Sequence, residues 1–414
     1  MKKETLLRSV FAFILLACMV VGLVLFTGMG RSEAGEVDIL IQKLVEKGVL
    51  TAGEAQQVLT ETKEEVRKEV AQGKSEILPK WVQTIKPKGD LRLRYQWQDK
   101  ENSKDRHRAR MRFRFGAEAK VLDDLKVGFQ IASGGSDPRS TNQTFQDSFS
   151  SKGINLDLAY AEWQPTGWFT LVGGKFKNPL WCPSDLIWDG DINPEGAATR
   201  FDYKLNDCTS LFANVGFFIL DELSNTGTDP LMWAFQPGIS YGKDNIEVDA
   251  AVSYYAYTNV EGKALDHSEN TNSRLPGGGL EYDFDSFVLS GAMGIKDPGF
   301  VNYLGVFGDY VQNTDPSDED SAWLVGFKFG DKKVGAKGQW QCAYSYRRVE
   351  RDSILDILPD SDFFAGKTNV KGHEAIFEYG LAKNVSLGLD YYHTEELHGS
   401  VEEDLLQLDW KMKF

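Results

Sequence analysis

The final ten residues constrain this chain more than any other stretch. Leu406, Leu408, Trp410, Met412 and Phe414 are apolar, and Gln407, Asp409, Lys411 and Lys413 alternate with them; Leu405 is the exception. A period of two is a strand with one apolar face and one wet face. A terminal edge strand leaves backbone groups unpaired, which a soluble sheet seldom tolerates. Within a bilayer every such group must be satisfied, and a barrel does this by pairing its last strand with its first. The pattern predicts an all-β transmembrane antiparallel barrel. The competing reading is an amphipathic edge strand of a soluble sheet.

The amino terminus agrees. Lys2, Lys3 and Arg8 precede an apolar run from Val10 to Phe26, followed by Gly28, Gly30 and the small-residue site Ser32-Glu33-Ala34. Residues 1–34 read as a secretory signal cleaved after Ala34. An uncleaved anchor or lipidation at Cys18 is the alternative, although Met19-Val20-Val21 continues the apolar core where a lipoprotein turns polar. Beyond this run no apolar stretch approaches the roughly 20 residues of a spanning helix. The chain carries 25 Phe, 15 Tyr and 10 Trp, a profile that fits strands half in lipid and half in water. A net charge of −15 argues against a nucleic-acid partner. After cleavage, Cys182, Cys208 and Cys342 form an odd set at unrelated spacings, so neither a zinc site nor a disulfide framework is expected. No cofactor or metal is expected.

Residues 35–79 form a helical segment. Ile39, Leu40, Leu44, Val45 and Leu50 recur at helical spacing until Gly48 interrupts, and Thr51 with Glu54 is a capping box that opens a second helix. Ala55, Val58, Leu59, Thr62, Val66 and Val70 make a short heptad-like stripe. Two readings stand: a hairpin packed on itself, or a periplasmic coiled-coil stalk that helps three copies assemble into a homotrimer. Residues 80–87 are the linker, bracketed by Pro79 and Pro87.

From Lys88 to Phe414 alternation replaces helical spacing, as in Leu91, Leu93, Tyr95 and Trp97, and in Ala109, Met111, Phe113 and Phe115. Tight turns such as Asp123-Asp124 and Asn206-Asp207 alternate with long polar loops such as 134–153, 178–196 and 350–368, the arrangement of an outer-membrane barrel. Treating Leu280 to Ile295 as one strand with a bulge at Asp283-Phe284-Asp285 gives sixteen strands; a true turn there gives eighteen. A change of phase near Tyr160 is one that a second bulge or a girdle position would allow.

The sharpest constellation is basic. Arg92 and Arg94 on the first strand, and Arg108, Arg110, Arg112 and Arg114 on the second, share the parity opposite to the apolar face. They are expected to line the lumen, since like charges this close are tolerable only in a hydrated pore opposite acids. The alternative is basic residues scattered at a rim. The expected acids are Asp185, Asp189, Asp191 and Glu195, threaded among Pro179, Trp181, Pro183, Trp188 and Pro194 in a loop predicted to fold inward and constrict the pore. A surface loop packed on a neighbouring subunit is the other reading. Gly128, Gly216, Gly238, Gly294 and Gly388 on the inner face suggest open space.

The closing strand, with Trp410, Met412 and Phe414, resembles the carboxy-terminal assembly signal of bacterial outer-membrane barrels. Gly173-Gly174-Lys175-Phe176-Lys177-Asn178-Pro179, with Asp189, Asp191 and Pro194-Glu195-Gly196, resembles the putative porin family of bacterial outer membranes. Gly308-Asp309-Tyr310-Val311-Gln312-Asn313-Thr314 and Asp360-Ser361-Asp362-Phe363 also match its pattern. The resemblance implies a channel for small hydrophilic solutes in the outer membrane of a Gram-negative bacterium. Its partners would be membrane lipid, lipopolysaccharide and the barrel-assembly machinery. Two other classes compete. A non-conducting anchoring or adhesion barrel would need a plugged lumen. An outer-membrane enzyme would need a catalytic constellation, yet His107, His267, His373, His393 and His398 have no glycine-elbow serine beside them.

Overall fold

The structure is a computed structural model describing residues 51, 53–55, 57, 58, 60, 80–224 and 227–414. The expected signal peptide and most of the helical segment lie outside the described residues. Within the segment the capping box is present: the Thr51 amide donates to Glu54 Oε2 at 2.9 Å, and the Glu54 amide donates to Thr51 Oγ1 at 3.3 Å.

Residues 80–414 form a second unit. It opens with a single helical turn, α1 (Lys80–Gln83), inside the stretch expected to be linker. The strands follow: β1 (Lys86–Lys100), β2 (Arg106–Lys120), β3 (Leu125–Ser133), β4 (Gln143–Thr144), β5 (Ile154–Thr166) and β6 (Phe169–Lys175). Next come β7 (Glu195–Lys204), β8 (Thr209–Ile219), β9 (Leu231–Lys243), β10 (Ile246–Thr258), β11 (Ser286–Lys296) and β12 (Tyr303–Asn313). The last five are β13 (Ser321–Gly330), β14 (Trp340–Val349), β15 (Val370–Ala382), β16 (Val385–Glu396) and β17 (Glu402–Lys413). All pairings are antiparallel; they join consecutive strands except that β3 pairs with β5 and β2 also with β4, and β1 pairs with β17, so the sheet closes. The two-residue β4 only patches the wall beside β2 above the short β3, which leaves sixteen spanning strands.

The sixteen strands arise differently from the expected route. Leu280–Asp285 is not strand but the end of a long loop, 259–285. Asp285 pulls it off the sheet by accepting the Tyr257 amide at 2.7 Å and the Tyr254 hydroxyl at 2.9 Å, while Phe284 is buried. The phase change in β5 is a bulge close to Tyr160. Asp157 is the unpaired residue opposite Gln130 and Ile131, three positions before Tyr160. The bulge turns Asp157 inward, where it accepts from Gln130 Nε2 at 2.5 Å and Asn193 Nδ2 at 2.8 Å.

Outward positions are exposed and apolar, as at Phe129, Trp233, Phe287, Val306, Phe327 and Leu389, and inward positions are polar and buried, as at Gln236, Asp309, Glu374 and Gln407. This inverts a soluble protein and suits a wall with lipid outside. At the long-loop end the lumen holds a hydrophobic core. Leu186, Ile187 and Trp188 from the β6–β7 loop pack with Leu355, Leu358, Phe363 and Phe364 from the β14–β15 loop, against the wall residues Tyr255, Val311, Leu324 and Tyr392. Leu405, the exception to the closing alternation, is on the inner face and belongs to this core.

The inner-face glycines do not leave open space. A Cβ at Gly128 would collide with the Tyr160 ring, at Gly216 with Phe218, at Gly238 with Phe212, and at Gly294 with Tyr303; at Gly388 it would press on the Lys411 stem. Each glycine is a seat for a neighbouring side chain that lies along the wall.

Candidate functional site

Antiparallel register builds the basic ladder. Arg92 stands opposite Arg112, Arg94 opposite Arg110, Gln96 opposite Arg108 and Asp90 opposite Arg114. Directly opposed cations repel. The repulsion is offset chiefly from the other side of β1, where closure places Asp409 of β17 opposite Arg94. Arg94 donates Nε to Asp409 Oδ1 at 2.7 Å and a terminal nitrogen to Oδ2 at 2.9 Å, and reaches Asp362 at 2.8 Å. Arg92 lies 3.6 Å from Asp409 and donates to Asn142 at 2.8 Å. Arg112 donates to Asp90 at 2.9 Å, and Arg114 forms a short ion pair with Asp191.

Arg108 and Arg110 differ. Their hydrogen bonds go to neutral oxygens, Gln98 Oε1 at 3.3 Å and Gln96 Oε1 at 3.1 Å. Neither has an ion pair among the described residues, so at its upper, long-loop end the ladder lacks directly paired acids, although Asp362 and Glu403 line the same cavity.

The β6–β7 loop does fold inward. Gly174 and Gly196 face each other at its base with φ of 117° and 145°. A Cβ on either would collide with a backbone carbonyl of the adjoining strand, Ala159 O or Phe217 O, so only glycine fits this exit from the wall. Of the four expected acids, only Asp191 contacts the ladder. Its carboxylate also accepts from Thr141 Oγ1 at 3.0 Å. Burial alone would raise the Asp191 carboxyl, but Arg114 and Arg112 hold it down at about 2. Asp189 instead ties two loops together, accepting the Ser361 amide at 2.8 Å while its own amide donates to Leu358 O at 2.8 Å. Burial, reinforced by the Asp191 charge, pushes its carboxyl up to about 7. Asp185 faces the other wall and pairs with Arg347 at 2.7 Å. Glu195 lies off the constriction, exposed and paired with Lys175 at 2.8 Å.

Several participants were not anticipated. Asp90 and Asp409 were visible as wet-face residues of the first and last strands, and drawing the closed register would have set them beside the arginines. Asp362 lies in the Asp-Ser-Asp-Phe stretch that carried the resemblance. Arg139 and Arg347 gave no signal. Each is buried, Arg139 bridging Asp356 O at 3.0 Å and Glu269 at 2.9 Å, and Arg347 joining Asp185 to Glu374 at 2.8 Å. Trp410, Met412 and Phe414 alternate with the inward, buried Gln407 and Asp409. The Phe414 amide and carbonyl both pair with Gly89, at 3.0 and 2.8 Å.

Open space lies at both ends of the ladder. A cavity of about 250 Å³ adjoins Arg106, Arg108 and Arg110, and one of about 690 Å³ adjoins Arg114 and Lys177. Between them the Asp191 and Asp362 contacts cross from loops to wall. Polar cavities thus flank a wall of fixed positive charge at both ends. Three histidines are held on the wall by neighbours: His107 by Tyr95 at 2.7 Å, His373 by Tyr344 at 2.6 Å and His393 by Asp404 at 2.9 Å.

Comparison with known proteins bears on the family and the fold. The model of a family described as "putative porin" matches residues 97–292 and 301–414. No curated protein matches the sequence. Among solved structures, OprB of Pseudomonas putida at high pH is similar with a TM-score of 0.54 and 12% identity, covering 84% of this chain and 97% of that one. DcaP of Acinetobacter baumannii scores 0.47 at 16% identity, over 80% of this chain and 97% of that one. Salmonella typhi OmpF in complex with daunomycin scores 0.47 at 13% identity, over 79% and 97%.

Proposed function

We propose that this chain, which belongs to the putative porin family, passes small hydrophilic solutes and ions by passive diffusion along the arginine ladder of β1 and β2. The family and fold are those of an outer-membrane channel rather than of an enzyme. The observation that carries the specific reading is the incomplete compensation of the ladder. Asp409, Asp362, Asp90 and Asp191 neutralise its lower part, while Arg108 and Arg110 hold only glutamine oxygens. Fixed charge beside a narrow, low-dielectric path focuses potential and favours anions there, despite an acidic chain overall.

Around this core stand further parts of the reading. The long loops face outside the cell and the short turns the periplasm. Residues 1–34 are removed on export, and residues 35–79 remain in the periplasm as a coiled-coil-like stalk supporting a homotrimer. Lipid and lipopolysaccharide cover the apolar belt. The barrel-assembly machinery reads Trp410, Met412 and Phe414. Single-channel recording in planar bilayers under asymmetric salt tests the central claim. Discrete conductance with a modest anion preference supports it, and a purified, folded barrel without conductance overturns it.

A further inference from the structure

The larger cavity, on the short-turn side of the ladder, has a lining that plain diffusion does not require. Lys177, just before the inward loop, projects into it and forms no ion pair or hydrogen bond among the described residues. The other charged side chains on its wall are each in an ion pair, Lys88 with Glu118 and Arg114 with Asp191 among them. Lys177 is open to solvent inside the lumen, and partial desolvation by the surrounding wall together with the Arg114 charge holds its pKa below the usual lysine range.

Gln236 is buried and grips the Trp181 backbone from both sides: it accepts the Trp181 amide on Oε1 at 2.7 Å and donates Nε2 to Trp181 O at 3.0 Å. Those two backbone partners fix which way the Gln236 amide points. Asn214, 3% exposed, meets Gln236 Oε1 at 2.9 Å and must therefore donate Nδ2 to it. Its Oδ1 has no partner but is closed to solvent, so Asn214 and Gln236 brace Trp181 from behind and offer the cavity no contact.

The remaining wall is aromatic. Tyr160 and Phe212 lie along it, over Gly128 and Gly238, and Trp181 meets Phe212 at 6.3 Å between ring centroids. The cavity thus combines one unpaired cation with ring surfaces held by glycine seats and by Gln236. Its volume of about 690 Å³ lies within the range of small-molecule sites.

We infer that this cavity is a binding subsite for a planar aromatic carboxylate. The carboxylate meets Lys177 Nζ, and the ring lies against Phe212 and Trp181. The subsite rests on the channel reading only in that its ligand arrives through the lumen.

Titrating the full-length protein in detergent with 4-hydroxybenzoate, benzoate, acetate and glucose, by calorimetry and tryptophan fluorescence, tests the subsite. Expected is binding of 4-hydroxybenzoate and benzoate with similar affinity, with acetate and glucose silent. Lys177→Met should weaken both aromatic acids at least about tenfold, and Lys177→Arg should restore them. Equal affinity of wild type and Lys177→Met, or binding of glucose in place of the acids, overturns the inference. The same preparation in bilayers separates the two readings. Conductance in potassium chloride that 4-hydroxybenzoate does not reduce overturns the subsite and leaves the channel standing. Lysine-dependent binding without any conductance supports the subsite and removes the channel.

Discussion

Arg94 and Asp409 form a two-pronged ion pair across the seam where the first and last strands meet, at 2.7 and 2.9 Å, with both side chains almost fully buried. Removing one partner strands the other charge, at a cost of about 3–5 kcal/mol. Asp409→Asn and Arg94→Met should each lower barrel stability by that order. Denaturant unfolding in detergent, followed by tryptophan fluorescence, measures it; unchanged midpoints would show that the seam closes without the pair.

Charge at the ladder sets ion preference. Arg108→Gln with Arg110→Gln removes the two cations that lack an acid and should move the reversal potential toward cations. Arg110→Glu with Arg112→Glu should move it further the same way. Asp191→Asn, which leaves Arg114 unneutralised, should move it toward anions. Reversal potentials that stay put in all three would place the selective region elsewhere.

Asp189 should confer a pH response on the inward loop. Its carboxyl titrates at about 7 when folded, against an ordinary Asp value of about 3.9 when the loop is released. The folded chain therefore holds a proton that the released loop gives up. The stabilisation is complete below about pH 4 and is lost as pH rises through about 7. Limited proteolysis of the 176–194 loop should quicken across that interval in the wild type and respond less in Asp189→Asn. Identical profiles would remove Asp189 as the cause.

Closure also depends on Gly89 and Phe414. A Cβ at Gly89 would sit 2.6 Å from the Phe414 ring and 2.8 Å from Arg114 O. Gly89→Val, deletion of Phe414 and Trp410→Asp should each reduce the heat-modifiable barrel in the outer-membrane fraction. Gly89→Val tests strand fit, whereas the terminal changes also test recognition during assembly. Full yield from all three variants would refute a role for this end of the strand.

The stalk is tested by deletion. Without residues 35–79 the oligomer detected by cross-linking should weaken while conductance per barrel persists. An unchanged oligomer would favour the self-packed hairpin.

Local alternation carries one kind of information and closure another. The strands, the turns and the inward parity of all six arginines follow from a period of two, which each segment displays by itself. What the arginines touch depends on pairs such as Arg94 with Asp409 and Arg94 with Asp362, which only the closed register and the loop fold bring together. Asp185 and Glu195 were expected opposite the ladder because they share a loop with Asp191. In the fold, Asp185 has turned to Arg347, and Glu195 has already left the loop for β7. The glycines misled for a similar reason: a missing side chain implies space only if no neighbour fills it, and Tyr160, Phe212, Phe218 and Tyr303 do so.

Leu405 is where two kinds of folding meet. The outer face of β17 is stabilised by lipid, but Leu405 joins a water-excluded core built from loops inside the lumen. That core forms as any soluble domain does, through the hydrophobic effect, with its heat-capacity signature and its weakening on cooling. Its members come from loops more than a hundred residues apart, so it can assemble only once the wall has brought them together. The barrel thus acts as the vessel in which a small aqueous protein folds last, and calorimetry should resolve a low-temperature transition of the loops well separated from the melting of the wall.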